Sequence, residues 1–226
     1  MLCDSPAKAQ KPTRPMSTIR KFALSIAIVL STASLSAQTA REVLDATAAR
    51  FNTSGVKATF KATSYDHTTP SGETTGTMMM KGSKFKLIST EMSAWFDGTT
   101  QWTMLQGSDE VNVTTPTAEE QAAINPAVLL QVYKQGYRMS LSRSTLRGKP
   151  TYVVRLTAQH PTADTFSTIL LDIEQETHTP YCIRAKQGDN WVRLVIHNFQ
   201  TSQSFSDATF TFPVSSYPDV EIIDLR

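Results

Sequence analysis

The chain has 226 residues, 40% of them hydrophobic and 19% charged, with a net charge of +2 at neutral pH. The surplus of positive charge sits in the first 37 residues, which hold five basic residues and one acidic one; without them the remainder carries a net −2. No Lys/Arg cluster with interleaved aromatics occurs in that remainder, which excludes an electrostatic footprint for nucleic acid.

The first recognisable element is a leader. Arg20 and Lys21 precede a short apolar run from Phe22 to Leu30, and small residues follow to Ala37, the pattern of a secretory signal peptide. The run is shorter than the ~20 apolar residues that span a bilayer. Initiation at Met16 gives this signal a normal length, so residues 1–15 read as an over-extended start, with cleavage near Ala37. Residues 38–226 are then expected to form one exported domain in the periplasm. Cys3 leaves with the leader and Cys182 remains alone, so no internal disulfide is expected. No Cys follows the signal core, so the chain is not expected to be lipid-anchored itself.

Helical spacing of Ala40, Val43, Leu44, Ala48 and Phe51 predicts one amphipathic helix over Thr39 to Phe51. The period then drops to two. Val56, Ala58, Phe60 and Ala62 alternate with polar residues, and a polar turn is expected from Asp66 to Gly72. The same alternation returns between turn signals at Asp97-Gly98, Gly107-Ser108-Asp109, Arg147-Gly148-Lys149 and Gly188-Asp189-Asn190, which predicts an antiparallel meander. In its later strands Ile169, Leu171 and Ile173 share a face, as do Tyr181, Ile183 and Ala185. One interruption, from Ala118 through Asn125-Pro126 to Tyr133, reads as helical turns.

About ten strands thus present an apolar face that only two short helical segments can cover. The fold class expected is mainly β (α+β): an incomplete antiparallel β-barrel, or strongly curved sheet, wrapped over a few short helices, with an apolar hollow inside. The hollow matters because each buried methylene of a hydrocarbon guest contributes roughly 0.8 kcal/mol, so a dozen contribute on the order of 10 kcal/mol. Methionine suits such a lining because it adapts to irregular partners. The candidate lining residues are Phe60, Met78, Met80, Phe85, Leu87, Trp95, Trp102 and Met104 from the sheet, with Val128, Leu129 and Val132 from the helical cover. Met79 faces away from Met78 and Met80. Plain core packing is the competing reading of the same residues.

Catalytic constellations do not emerge. His67, His160, His178 and His197 show no metal-ligand spacing, and no cofactor motif, nucleophile elbow or phosphate-cradling glycine loop occurs. The pairs Asp109-Glu110 and Glu119-Glu120 read as solvated surface, and S-x-x-K at Ser83–Lys86 as chance. Cys182 shares a strand face with Arg184 and Lys186 but has no evident resolving Cys or His partner.

Several landmarks in order carry a family likeness: Met78-Met79-Met80-Lys81 then Lys84-Phe85; Phe96-Asp97-Gly98-Thr99-Thr100-Gln101-Trp102; Glu110-Val111; Asn125-Pro126; Phe210-Thr211-Phe212; and the ending Tyr217 to Arg226. Together they resemble the LolA-like outer-membrane lipoprotein carriers, especially the bacteroidete branch, whose closing strand the ending resembles. The resemblance implies a non-enzymatic monomer that takes acylated lipoproteins from an inner-membrane ATP-driven releasing complex and passes them to an outer-membrane acceptor, without a cofactor. A regulatory domain of the same fold that senses lipid or lipoprotein is the second reading, and a hydrolase the third. One position departs from the pattern. The proteobacterial carriers place a lid-latching arginine just after the Lys of the third segment, where this chain has Gly82.

Overall fold

The computed structural model describes residues 38–52, 55–117, 120, 132–134, 136–163 and 165–226. One helix, α1 (Ala40–Asn52), opens it. Its start is a capping box, in which the Thr39 amide donates to Glu42 Oε2 at 2.7 Å and the Glu42 amide donates to Thr39 Oγ1 at 3.2 Å. Glu42 in the first turn and Arg50 in the last oppose the helix dipole favourably. Val43, Leu44 and Phe51 are buried, and the buried Thr47 hydroxyl is satisfied by the Val43 carbonyl at 2.8 Å.

Twelve strands follow: β1 (Gly55–Asp66), β2 (Thr69–Lys81), β3 (Lys84–Ser89), β4 (Met92–Phe96), β5 (Gln101–Leu105), β6 (Glu110–Thr114), β7 (Tyr137–Leu146), β8 (Lys149–Ala158), β9 (Thr168–Glu174), β10 (Pro180–Gln187), β11 (Asn190–Gln203) and β12 (Glu221–Asp224). They form one sheet in the order β12-β6-β5-β4-β3-β2-β1-β11-β10-β9-β8-β7. Two antiparallel meanders, β1 to β6 and β7 to β11, are joined where β1 pairs with β11. The sheet is curved and does not close. α1 touches β1 and β2 on one side and β7 and β8 on the other, so it bridges the two halves across the inner face.

The expected meander, curvature and open edge are therefore present, with twelve strands rather than about ten. Three details differ from the sequence reading. The turn at Asp66 is tighter, because His67 takes a positive φ of 56° and lets Thr69 to Gly72 pair as strand. At the C-terminus Phe210 lies in a 3₁₀ turn (Asp207–Phe210), and the last strand, β12, runs parallel to β6. Of the interruption after β6, the described residues include a second capping box between Thr117 and Glu120 and a 3₁₀ turn at Val132–Lys134.

Period-two alternation makes one face of the sheet a set of continuous apolar rows. Ala62, Leu194, Ile183, Leu171, Val154 and Leu141 stand opposite one another in succession from β1 through β11, β10, β9 and β8 to β7. A parallel row on the other side runs Val56, Met80, Phe85 and Phe96. Curvature comes from β11, where the register with β1 slips twice and Asn198 and Ser202 hold positive φ angles of 46° and 61°; such bulges bend a strand and re-aim its side chains. The first bulge turns Phe199 inward, where its ring meets Phe51 at 5.4 Å.

Leu171 is fully buried at the middle of the long row. Leu171→Ala is expected to cost roughly 2–5 kcal/mol and to lower the thermal midpoint by on the order of 10 °C, readable by circular dichroism. A separate pH effect is expected from His178, whose pKa lies below its ordinary 6.5, mainly because burial disfavours the imidazolium and secondarily because Arg50 repels it. The folded chain thus binds this proton less readily than the unfolded chain, so the contribution is full above pH 6.5 and is lost as pH falls toward the folded value. The midpoint is expected to drop between pH 7 and 5, and His178→Gln to flatten that drop.

Candidate functional site

The inner face carries an apolar cavity of about 240 Å³. That is far above the ~10–15 Å³ that accommodates one water. Its floor comes from both meanders: Val56, Ala58, Phe60 and Ala62 of β1, Met78 and Met80 of β2, Leu87 of β3 and Met92 of β4 from the first, and Ile183, Ala185, Leu194, Ile196 and Phe199 from the second. Phe51 of α1 and Phe166 before β9 complete the wall. The polar lining residues are Thr74, Ser89 and Glu91, and they lie toward one end of β2 and the β3–β4 turn.

Phe60 owes its position to a glycine. Gly76 stands opposite it on β2, and a Cβ there would fall 2.8 Å from the Phe60 ring and 2.3 Å from the Ile88 carbonyl oxygen. Only glycine lets the ring lie across β2 while β3 approaches this closely. Met78 stands between Ala58 and Leu87 on the floor.

Of the candidate residues, Phe60, Met78, Met80 and Leu87 line the cavity. Phe85 is buried deeper in the same core, its ring 5.5 Å from Phe96, and does not reach the cavity surface. Trp95, Trp102 and Met104 do not line it, and this corrects the sequence expectation. On β4, Met92, Ala94 and Phe96 face inward, so Trp95 faces outward; Trp102 pairs with Trp95 and Met104 with Ser93, on that same outer face. There they form a second core with Val111, Phe212, Tyr217 and Val220, and Trp95 meets Phe212 edge to face at 5.2 Å. Val128 and Leu129 lie outside the described residues, and Val132 falls in the short 3₁₀ turn.

The sequence reading missed the half of the lining supplied by β10 and β11, although Ile183 and Ala185 were legible as sharing a face. Tyr181 was grouped with them, but a register shift between Pro180 and Cys182 turns it toward Arg147, whose guanidinium sits 4.9 Å from its ring centroid. The missing signal was register: that β11, with β10 on its far side, pairs with β1 follows from contact between distant parts of the chain, not from local pattern.

Gly82 occupies the β2–β3 turn at a φ of 61°, which an L side chain adopts only under strain. The lysines on either side do hold a contact. Lys81 Nζ donates to the Phe205 carbonyl at 2.9 Å, and Lys81 and Lys84 approach Asp207 at 3.4 and 3.1 Å. This exposed cluster lowers the Asp207 pKa and ties the turn to the C-terminal segment.

Over the short 3₁₀ turn at Val132–Lys134, Tyr133 is buried against the core and donates its hydroxyl to Asp45 of α1. Burial first, then the Asp45 carboxylate, pushes its pKa up to about 12, so the phenol remains a donor. This contact fastens the chain before β7 to α1. Among the described residues no group of three or more His, Cys, Asp or Glu converges to hold a metal ion.

The described residues thus form an open, curved sheet, antiparallel except for β12, with an apolar hollow under α1. The chain belongs to the family described as outer membrane lipoprotein carrier protein LolA, whose sequence model matches residues 30–189. No curated protein matches the chain. Among solved structures, an uncharacterized conserved protein from Thermus thermophilus shares the fold with a TM-score of 0.58, at 11% identity over 83% of this chain and 99% of that one. A LolA superfamily protein from Nitrosomonas europaea aligns at 12% identity over 78% and 99% of the two chains, with a TM-score of 0.42. LprF from Mycobacterium bovis aligns at 12% identity over 77% and 96%, also with a TM-score of 0.42.

Ala58 lies on the cavity floor beside Met78. Ala58→Phe is expected to fill part of the hollow and to weaken uptake of an apolar dye such as N-phenylnaphthylamine several-fold, read by fluorescence titration, while the far-ultraviolet spectrum stays the same.

Proposed function

We propose that this protein is a periplasmic, non-enzymatic lipoprotein carrier. In this reading it is exported by a cleavable signal, takes acylated lipoproteins from an inner-membrane ATP-driven releasing complex, and delivers them as a monomer to an outer-membrane acceptor. The observation that carries the proposal is the apolar cavity of about 240 Å³ lined by both meanders, whose two halves α1 bridges. Membership of the carrier family supports it.

The physical requirements of a carrier fit that lining. Cargo must gain enough from burial to leave a membrane, so the wall must be apolar. It must also be released, so the wall must not grip one shape. Methionines and phenylalanines contributed by different strands offer contact area through side chains that repack readily. The polar residues Thr74, Ser89 and Glu91 leave a place where the hydrophilic part of an amphiphile meets water rather than oil.

Met78 is buried on the cavity floor. Native mass spectrometry of the protein isolated from its own periplasm is expected to reveal lipoprotein adducts, and Met78→Glu to lose them while retaining its secondary structure. Protein free of acylated adducts, yet held in a stoichiometric complex with one membrane regulator, would overturn the carrier reading and establish a sensor.

A further inference from the structure

The outer face of the sheet carries a second cleft, about 490 Å³ in volume, bordered by Tyr65, Asp172, Cys182, Arg184, Trp191 and Arg193. Strands β1, β10 and β11 contribute to both hollows, largely through alternate residues, and Val192 borders each. Ile183 and Leu194 pair on the inner face, and the next pair along, Arg184 and Arg193, stands on the outer one. Like charges directly opposite on neighbouring strands disfavour a sheet, so this pair is a cost to the fold.

Asp172 is the carboxylate that borders the cleft, and it pairs with Arg184. Asp172 Oδ2 accepts from Arg184 Nη2 at 2.8 Å. Arg193 lies instead beside Tyr65 and Cys182, which hold its pKa up. Burial pushes the Cys182 pKa up and keeps the thiol protonated. Arg184 Nε is buried and has no hydrogen-bond partner among the described residues. The cleft therefore holds one positive charge in excess and a donor with nothing to donate to, beside the apolar surfaces of Trp191 and Leu146. Paired guanidinium forks match the oxygens of a phosphate in number and geometry.

We propose that this cleft binds a phosphate ester attached to an apolar or aromatic body, with Arg184 and Arg193 as its anchors and Trp191 against the ester group. Arg193 supplies the uncompensated charge, and Arg184, held in place by Asp172, presents the exposed part of its guanidinium. The proposal does not rest on the carrier reading, because the arginines stand on the face opposite the apolar cavity.

The test uses the full mature protein with ¹⁵N-labelled arginine. On titration with phenyl phosphate, the Nε–H resonances of Arg184 and Arg193 are expected to shift together, and Arg193→Gln to weaken binding roughly tenfold or more. Flotation with phosphatidylglycerol or phosphatidylcholine vesicles separates the sources. Binding of phenyl phosphate without vesicle binding assigns a soluble ester, whereas binding to phosphatidylglycerol vesicles alone, weakened by the same substitution, assigns a lipid headgroup. No arginine shift with either ligand, or binding that Arg193→Gln leaves unchanged, would overturn the proposal. Because the resonances are read in the unsubstituted protein, a variant that failed to fold would leave the result intact.

Discussion

The pairing of β1 with β11 is the contact on which the rest of the molecule depends. It joins two meanders whose paired ends, Gly55 and Gln203, are separated by most of the chain, and it brings Phe60 beside Ile196 and Ala62 beside Leu194. Closing so long a loop costs chain entropy that local hairpins do not face. The return is a single apolar surface assembled from both halves. Because side chains alternate with a period of two, a slip of one residue at this seam would turn every inward residue of one meander outward. The two bulges in β11 absorb the mismatch between a long, twisted strand and its neighbour, and they bend the sheet where the hollow must form.

The apolar face does not stay on one side of the sheet. From β7 to β4 it is the inner face, under α1. At β5 and β6 it is the outer one: Trp102, Met104, Val111 and Val113 lie outward, while Gln101, Thr103 and Asn112 point inward. A sheet that changes its apolar side needs a second cover, and the segment from Phe210 to Val220 provides it before the chain pairs as β12 beside β6. The polar ties from Lys81 and Lys84 to Asp207 are exposed and contribute little to stability. Their effect is to set where this cover begins.

One set of strands thus presents two chemistries. Inward residues of β10 and β11 give oil, and outward residues give guanidinium groups, a thiol and an indole. Alternation permits this economy wherever both faces of a strand are reachable, and an open sheet has both faces reachable in a way that a closed, filled barrel does not. The same openness leaves β7 and β12 at the edges of the described sheet; β12 has only 4 residues and charged ends, Glu221 and Asp224, which oppose further pairing.

The sequence by itself determined the local elements. The 3.6-residue spacing to Phe51 and the two-residue spacing between Asp/Gly turns act within a few residues of chain, so they are legible without a fold. The ratio of strand to helix, and with it the open curved sheet over scant helix, was legible too, as were Phe60, Met78, Met80 and Leu87 as inward residues near the hollow. Only the tertiary structure decided which face counts as inside. Trp95, Trp102 and Met104 are as large and apolar as their neighbours, and nothing local marks that the apolar side changes at β4; that follows from where the C-terminal segment docks. Likewise the share of the cavity belonging to Ile183, Leu194, Ile196 and Phe199, and the confrontation of Arg184 with Arg193, exist only through register between strands distant in sequence. The reason is physical: alternation fixes which residues share a face, but the identity of that face is set by long-range pairing.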